Sequence, residues 1–201
     1  MRLTENFYLR TDVIKIAREL IGKVLVTNFE GQLTSGIILE TEAYNGIVDK
    51  ASHSFNNRRT PRTEIMFHKG GIAYVYLCYG IHSLFNVVTN SENIPHAILV
   101  RAIQPVDGIS YMEKRRQLVA TNKNFSAGPG TVSSALGIHF SNTGESLAGD
   151  RIWIEDRNIK IKPNTIHITP RIGVDYAKVD ALLPYRFLID KLNEPLLYRN
   201  S

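Results

Sequence analysis

Two carboxylates and a tyrosine alternate within one short stretch of the chain, at Glu40, Glu42 and Tyr44. Alternate residues of an extended strand point to the same side, so these three side chains are expected on one face. Two further tyrosines, Tyr74 and Tyr76, alternate in the same way. An acid beside aromatic walls suits an enzyme that holds a flat, electron-poor ring and breaks a bond at its edge.

Of the two acids, Glu42 is the better candidate for a general base. It lies among apolar residues of a predicted strand, where burial would raise the pKa of its carboxyl group toward a catalytically useful range. Glu40 shares its face and is a weaker candidate. The residues alone leave open that Glu42 is a surface acid paired with a basic side chain, and that the tyrosines form a packed face of a sheet.

The dipeptide Tyr79-Gly80 ends a predicted strand and is followed by the apolar Ile81. This pattern predicts a projecting tip, because glycine favours a tight turn. A projecting aromatic ring can wedge between base pairs and fill the gap that an extruded nucleotide leaves. A buried hairpin corner is the alternative interpretation.

Residues 45–71 form a polar, basic, turn-rich segment that is long for a loop in a compact domain. Its composition suits contacts to phosphates, although a solvated charged loop explains the composition equally well. The basic and hydroxyl residues concerned are Arg58, Arg59, Arg62 and Lys69, with Thr60 and Thr63 between them. Gly128-Pro129-Gly130, ahead of a predicted helix, is a second place where backbone N–H groups could meet a phosphate.

The elements that must position these groups follow from the spacing of apolar residues and turn residues. Helices are predicted over residues 12–21, 105–118 and 131–136. Strands are predicted over residues 23–28, 33–44, 73–78, 84–89 and 97–103, and near 151–155, 165–168 and 185–189. We find no repeat, low-complexity tract or linker, so we expect one mixed domain over residues 1–201 with more strand than helix.

The composition is that of a folded domain, since 43% of the 201 residues are hydrophobic and 21% are charged. The net charge of +5 is compatible with a polyanionic partner such as nucleic acid but does not require one. Cys78 is the only cysteine, so no intramolecular disulfide can form and we expect a reducing compartment. Its place in an apolar strand predicts a position in the core.

Targeting and metal-binding patterns are not found in the sequence. Residues 1–10 lack the apolar segment of a signal peptide, and no apolar run approaches the length of a membrane span. We therefore expect an intracellular protein without membrane association, in the cytoplasm or nucleoid if the source is bacterial. The six histidines do not fall at ligand spacing, and we expect neither a metal nor another cofactor.

Several separate motifs, in chain order, resemble the alkyladenine (3-methyladenine) DNA glycosylases of the mammalian type, the MPG family. The resemblance extends from the helix at residue 12 to at least Gly137, with weaker similarity at residues 170–174 and 185–187. The motifs that carry it are Glu40-Thr41-Glu42-Ala43-Tyr44, Ala51-Ser52-His53-Ser54, Thr60-Pro61-Arg62, Met66-Phe67, Tyr74-Val75-Tyr76, Tyr79-Gly80, Asn86, Leu99-Val100-Arg101-Ala102 and Gly128-Pro129-Gly130.

The resemblance implies a mixed α+β fold: a single domain around a curved, mostly antiparallel sheet, with peripheral helices and a protruding β-hairpin. It also implies base-excision repair, in which a nucleotide is flipped out of double-stranded DNA and its N-glycosidic bond is hydrolysed. The implied substrates are alkylated or deaminated purines of the 3-methyladenine, hypoxanthine and ethenoadenine class. We further expect a monomer.

The resemblance assigns roles by position. Glu42 would activate a water for attack on C1′ of the sugar, and Arg101 would help to hold that water. Tyr79 would intercalate into the duplex. The base pocket would be formed by Tyr44, His53, Tyr76, Asn86, Leu84 and Ala51, and the DNA backbone would be contacted by Arg58, Arg59, Thr60, Arg62, Met66 and Lys69. No lysine lies in the matched catalytic motifs, which implies a monofunctional hydrolase.

The chain departs from the mammalian pattern at Leu84, Ile81, His82 and Thr131. These differences concern the range of substrates more than the type of reaction. Two other functions compete with the glycosylase. One is a non-catalytic nucleic-acid-binding module of the same fold, and the other is a metal-dependent nuclease that uses Glu40 and Glu42.

Overall fold

Residues 1–192 contain a curled antiparallel sheet of eight strands, which carries most of the motifs named above. The computed structural model describes residues 1–192. The strands are β1 (Val24–Phe29), β2 (Gln32–Tyr44), β3 (Ile72–Cys78), β4 (His82–Thr89), β5 (His96–Pro105), β6 (Ile152–Glu155), β7 (His167–Thr169) and β8 (Arg186–Leu188). Their order is β3-β4-β5-β2-β1-β6, with β8 between β2 and β7.

The long strand β2 organises the sheet because it changes partner along its length. One edge pairs with β5 from Gly36 to Tyr44. The other edge pairs with β1 as far as Ile37 and then with β8 from Glu40 to Glu42. This change of partner at one edge brings the last described strand of the chain beside the two acids.

A bulge interrupts the pairing of β2 with β5 at the acids. Ile38 faces Ile103, Glu40 faces Ala102 and Thr41 faces Val100, so one residue on each strand, Leu39 and Arg101, is left out of the register. Bulges re-aim side chains and increase the local twist. Here the guanidinium of Arg101 reaches both Glu40 and Glu42.

In the described part of the chain, four α-helices lie around the sheet: α1 (Glu5–Tyr8), α2 (Val13–Leu20), α3 (Ile109–Arg116) and α4 (Pro129–Leu136). Helix α2 begins where the Asp12 side chain accepts a hydrogen bond from the Lys15 amide, and its apolar face is buried against β2. The buried Thr41 hydroxyl donates to the Ala17 carbonyl and ties β2 to this helix.

Helix α3 is shorter than the predicted segment 105–118. It begins after Gly108, whose φ is +67° and whose absent Cβ would lie 2.1 Å from the Leu33 carbonyl oxygen. Residues up to Pro105 still belong to β5, and Ser35 holds the connection by hydrogen bonds to Asp107. Because Gly108 adopts the left-handed conformation, the helix does not extend back through it toward Pro105.

The remaining expectations are mostly met. The predicted mixed α+β class with a curved antiparallel sheet is confirmed, and the strands occur within a few residues of their predicted bounds. The predicted end of the domain at residue 201 lies outside the described residues.

Segment 45–71 contains three 3-10 helices, Gly46–Val48, Phe55–Asn57 and Glu64–Phe67. Cys78 is half-buried at the end of β3, so its predicted place in the core is wrong. Within residues 1–192, none of the helices is both long and apolar enough to cross a membrane.

Candidate active site

A cavity of about 230 Å³ opens between the end of β2, the β3–β4 hairpin, β5 and the segment 172–176. Its wall is aromatic and apolar, with a small number of polar groups. The residues that line it include Tyr44, Ala51, His53, Met66, Tyr74, Tyr76, Tyr79, Leu84, Asn86, Arg101, Ile172 and Tyr176. The structure thus brings together, around one space, all six residues predicted for the base pocket.

His53 and Tyr76 form one aromatic corner of the cavity, with ring centroids 4.7 Å apart and an edge-to-face angle of 78°. The His53 Nδ1 atom lies 2.9 Å from the Tyr74 hydroxyl, and Nε2 lies 3.3 Å from Nη2 of Arg62. A guanidinium can only donate, so Nε2 accepts and Nδ1 carries the hydrogen. The imidazole is therefore held in one neutral tautomer.

Burial, together with the charges of the nearby Arg62 and Arg58 guanidinium groups, lowers the pKa of His53 from its usual 6.5 to about 4. A neutral ring in this wall is compatible with stacking against a positively charged base, because it adds no repelling charge.

We expect the stability of the protein to depend on His53 at mildly acidic pH. Since its pKa is lower in the folded state, the unfolded chain binds the extra proton between pH 6.5 and about 4. The contribution of His53 to the free energy of unfolding is therefore complete above pH 6.5 and is lost as the pH falls. The free energy of unfolding changes by up to about 1.4 kcal/mol per pH unit in this range. Urea unfolding of wild type and His53→Asn over this range measures it.

The free-energy difference between the two proteins should shrink as the pH falls. Replacement of the exposed His82 by asparagine is the matched control and should leave the pH dependence of wild type in place. An unchanged pH dependence in His53→Asn would show that the folded protein binds a proton at His53 as readily as the unfolded chain.

Glu42 lies directly behind the cavity wall and is 0% exposed. Its Oε1 atom accepts a hydrogen bond of 2.8 Å from the Ile172 amide and lies 3.4 Å from Nε of Arg101. Its Oε2 atom accepts one of 2.8 Å from the Tyr44 hydroxyl. All three partners line the cavity, so the carboxylate is covered by the groups that contact it.

Burial raises the pKa of the Glu42 carboxyl group above its usual value. The Arg101 charge, the Ile172 amide and the Tyr44 hydroxyl oppose this shift because they favour the carboxylate, whereas the nearby Glu40 charge adds to it. The interpretation of Glu42 as a surface acid is wrong. Its position and its raised pKa are those that a general base needs.

Glu40 binds two guanidinium groups, with its Oε1 atom 2.8 Å from Nε of Arg101 and 2.6 Å from Nε of Arg186. Arg186 lies on β8, which pairs with β2 opposite Glu42. Arg101 therefore spans both acids, and Arg186 binds Glu40 alone. Glu40 therefore orients Arg101, whereas Glu42 is the acid that lies beside the cavity.

Asn86 and Leu84 lie on β4 and contribute the inner part of the cavity wall. The Asn86 side chain is buried, and both of its amide hydrogens are used, on the Tyr74 and Leu84 carbonyl oxygens. This fixes the amide in one orientation. Ala51 is buried on the opposite side, where its carbonyl oxygen accepts a hydrogen bond from the Tyr176 hydroxyl.

The β3–β4 hairpin ends in a projecting tip, as predicted. Tyr79 is 92% exposed, and Ile81 beside it is also exposed. Tyr79 and Gly80 both have positive φ, +52° and +73°, the combination that a type I′ turn requires. The buried hairpin corner is therefore excluded for these residues.

The basic segment is less available to DNA than its composition suggests. Arg59 binds Glu64 through two hydrogen bonds and lies over the Phe67 ring, and Lys69 is paired with Glu5. Met66, predicted to contact the DNA backbone, is 1% exposed and lines the cavity instead. An apolar buried side chain does not suit a phosphate, so this prediction needs correction.

A second depression adjoins the aromatic cavity and shares His53 and Tyr176 with it. Arg58, Thr60 and Arg62 line it, together with Lys50, which was not predicted as a contact. The Arg62 guanidinium lies 4.7 Å from the centroid of the Tyr76 ring, at the border of the two spaces. These residues are the part of the basic segment that the structure places at the mouth of the site.

Several residues at the site were given no role from the sequence. Ile172 and Tyr176 line the cavity, and the buried Arg171 binds the buried Asp49. The weak resemblance at residues 170–174 was the one sequence signal for this segment. Around Glu42 and elsewhere in residues 1–192, no group of three or more His, Cys, Asp or Glu side chains is placed to hold a metal ion.

A family model described as methylpurine-DNA glycosylase matches residues 6–193 of the chain. A protein of Chlamydia felis is 49% identical over 189 residues, covering 94% of this chain and 96% of its own length. Relatives in Clostridium acetobutylicum and Bacillus cytotoxicus are 42% and 40% identical, with at least 94% of each chain covered. All three are named "Putative 3-methyladenine DNA glycosylase". The resemblance inferred from the motifs is confirmed: the chain belongs to the methylpurine-DNA glycosylase family, a family of DNA glycosylases that repair alkylation damage.

Proposed function

We propose that this protein hydrolyses the N-glycosidic bond of alkylated or deaminated purines, the 3-methyladenine, hypoxanthine and ethenoadenine class, in double-stranded DNA. The observation that carries the proposal is the fully buried Glu42 carboxylate behind an aromatic cavity, in contact with Arg101, the Ile172 amide and the Tyr44 hydroxyl. The names of the relatives mention 3-methyladenine, one member of this class.

The cavity suits a flipped purine because the residues expected to stack on the base present flat, uncharged rings. Tyr44, His53 and Tyr76 supply aromatic surfaces, and His53 is neutral. A methylated purine is positively charged, and stacking on a desolvated tyrosine face favours it over a neutral base by about 1–2 kcal/mol. Damage also weakens pairing, which lowers the cost of flipping.

In the proposed reaction Glu42 takes a proton from water as the water oxygen bonds to C1′ of the sugar. The bond from C1′ to the purine nitrogen breaks, and its electron pair leaves with the base. The water would lie where Arg101 and Ile172 border the cavity, because both contact the same oxygen of Glu42. No lysine is among the residues that line the cavity within residues 1–192, in keeping with a monofunctional enzyme.

The surroundings of the cavity would hold the duplex. Arg58, Thr60 and Arg62 border the adjoining depression and would contact the DNA backbone, as phosphate contacts position a protein without reading sequence. Tyr79 would enter the space that the flipped nucleotide leaves.

A base-release assay tests the proposal. Purified protein is incubated in EDTA with duplexes that contain 3-methyladenine, hypoxanthine or ethenoadenine, and free base and strand cleavage are measured separately. Release of base with intact strands at the abasic site supports the proposal. Binding without release would favour the non-catalytic module. Cleavage of the backbone that EDTA abolishes would favour the nuclease.

We expect Tyr79→Asn to weaken base release from paired lesions by about 10- to 100-fold, because stacking of an inserted ring is worth about 1–3 kcal/mol. Asparagine tolerates the positive φ of this position, so the turn itself should be kept. Tyr79→Phe keeps the ring and is the matched control. The same loss with a lesion in single-stranded DNA would contradict a role in filling the duplex.

A further inference from the structure

A buried ion pair lies behind the cavity wall and joins its separate parts. The Arg171 guanidinium donates to both carboxylate oxygens of Asp49, at 2.5 and 2.9 Å, and both side chains are almost completely buried. Arg171 also donates to the Ala43 and Asp180 carbonyl oxygens. Such a bidentate pair has one geometry. Both terminal nitrogens of Arg171 donate hydrogen bonds and only the buried Nε lacks a partner among the described residues, so the pair holds the segments it joins in one place.

Asp49 anchors the loop that follows β2. Its Oδ1 atom accepts a hydrogen bond from the Ala51 amide and its Oδ2 atom accepts one from the Asn45 amide. Ala51 lines the cavity two residues before His53. The loop that carries this wall is thereby fixed to the segment that contains Arg171, more than 100 residues away along the chain.

Arg171 is adjacent to both uncharged hydrogen-bond donors of Glu42. The Tyr44 ring, whose hydroxyl donates to Glu42, lies under the guanidinium with its centroid 4.8 Å from the Arg171 Cζ atom. Ile172, whose amide donates to the other oxygen of Glu42, is the next residue in the chain. The Tyr185 ring lies 5.2 Å from the same Cζ atom. One side chain therefore sets the place of two groups that meet the same carboxylate.

We propose that the Arg171–Asp49 pair is the positioning device of the active site, which holds the Tyr44 hydroxyl and the Ile172 amide on Glu42. The inference rests on the proposed function, in which Glu42 is the base. Neither Arg171 nor Asp49 lines the cavity, so both are positioning residues and neither touches the substrate. The pair acts on the reaction through the ionisation and the orientation of Glu42.

The groups that face Glu42 determine how the pH dependence of base release would change if the Arg171–Asp49 pair were lost. On β2 these are Glu40 and the Tyr44 hydroxyl, and on β5 it is Arg101. From the C-terminal part of the described chain, the Ile172 amide contacts Glu42 directly. The charge of Arg171 and the Tyr176 hydroxyl act on Glu42 from farther away. Arg186 acts indirectly, because it binds Glu40. The Tyr44 hydroxyl and the Ile172 amide both stabilise the carboxylate form of Glu42. If these two hydrogen bonds were lost, the effect of burial would be opposed less and the pKa of Glu42 would rise.

The test compares Arg171→Lys, Arg171→Met and Asp49→Asn with wild type in single-turnover base release between roughly pH 5 and pH 9. We expect the plateau rate to fall by up to about 100-fold, as misplacement of reacting groups does. We also expect the acidic limb of the profile to move to higher pH, because a base with a raised pKa is protonated over a wider range. The plateau rate and the acidic limb of Arg171→Lys should lie between those of wild type and those of Arg171→Met.

Arg157→Lys is the matched control, because Arg157 is a partly buried arginine that binds Asp107 and Glu155 and is not among the residues around the cavity. It should keep the profile of wild type. Thermal unfolding gives the folded fraction of each variant. If Arg171→Met does not fold, Asp49→Asn, which keeps the shape of the acid, decides the outcome.

Two results overturn the inference. One is wild-type activity in the Arg171 and Asp49 variants. The other is an equal loss of rate at every pH without movement of the acidic limb, since that reports only a smaller folded fraction. Tyr44→Phe supplies an independent check: in this background Arg171→Lys should shift the limb less than in wild type. If wild type itself releases no base, the proposed function fails, which is a separate result.

Discussion

Replacement of Glu42 by glutamine is expected to lower the single-turnover rate of base release by about 10²- to 10⁴-fold, because an amide cannot take the proton of the attacking water. Glutamine keeps the shape of the side chain, and its oxygen can still accept from the Ile172 amide. The Tyr44 hydroxyl can turn to accept from the new amide group, so the pocket should keep its form. The measurement is release of free base with enzyme in excess over a lesion-bearing duplex.

Glu40→Gln is the matched control for Glu42→Gln, because the two acids lie on the same strand and share Arg101. It should retain most of the rate, since the glutamine oxygen at position 40 can still accept hydrogen bonds from Arg101 and Arg186. Affinity for the lesion duplex should change by less than a few-fold in Glu42→Gln. A variant that keeps full single-turnover activity would show that Glu42 is not the base.

Replacement of Arg101 by methionine is the second change with a large expected effect. It removes the cation 3.4 Å from Glu42 and 2.8 Å from Glu40, and the two carboxylates then face each other with Arg186 as the remaining partner of Glu40. Loss of one partner from a buried charge pair costs of the order of 3 kcal/mol of folding free energy. The same change removes the strongest influence that keeps Glu42 ionised.

The sign of the effect on activity follows from the pKa of Glu42. Burial already raises this pKa, and Arg101 is the group that opposes the increase most strongly. The base would be protonated up to a higher pH, so the rate near neutrality should fall by about 10²-fold or more and recover in part as the pH is raised. A pH profile of single-turnover release measures the shift, with Arg101→Lys as the variant that keeps the charge.

The double variant Glu40→Gln/Arg101→Met separates charge from placement. Removal of the Glu40 charge relieves the repulsion on Glu42, so the acidic limb should move back toward that of wild type. If Arg101 acts mainly by holding the water, the plateau rate should stay low even when the limb has returned. An unshifted limb in Arg101→Met would contradict the assignment of Arg101 as the cation that keeps Glu42 ionised.

Local features of the site could be predicted from the sequence. The strand period placed Glu40, Glu42 and Tyr44 together, and Tyr79-Gly80 predicted an exposed tip that the positive φ values explain. The period did not predict the bulge that turns Arg101 toward both acids, since a bulge changes the register of two strands far apart in sequence. The place of Arg101 came from the family resemblance alone.

Contacts between distant parts of the chain were the ones that the sequence did not predict. The Ile172 amide reaches Glu42 across 130 positions, and Arg171 reaches Asp49 across 122. A backbone amide has no signal in the residue type, and an Arg–Asp pair is one of many pairings that the composition allows. Met66 illustrates the opposite error: it lies in a basic segment but turns inward against Tyr74 and Val88.

The exchange of partners along β2 has a consequence for how the enzyme is made. As the chain leaves the ribosome, β2 can pair with β1 at once, but the groups that complete Glu40 and Glu42 come from Ile172 and Arg186, which are synthesised 130 and 146 positions after the acids they contact. Until then the two acids have no covering segment, and a growing chain would carry ordinary, hydrated carboxylates there. Catalytic competence therefore cannot precede the synthesis of these distant residues, and it arrives together with their docking on β2.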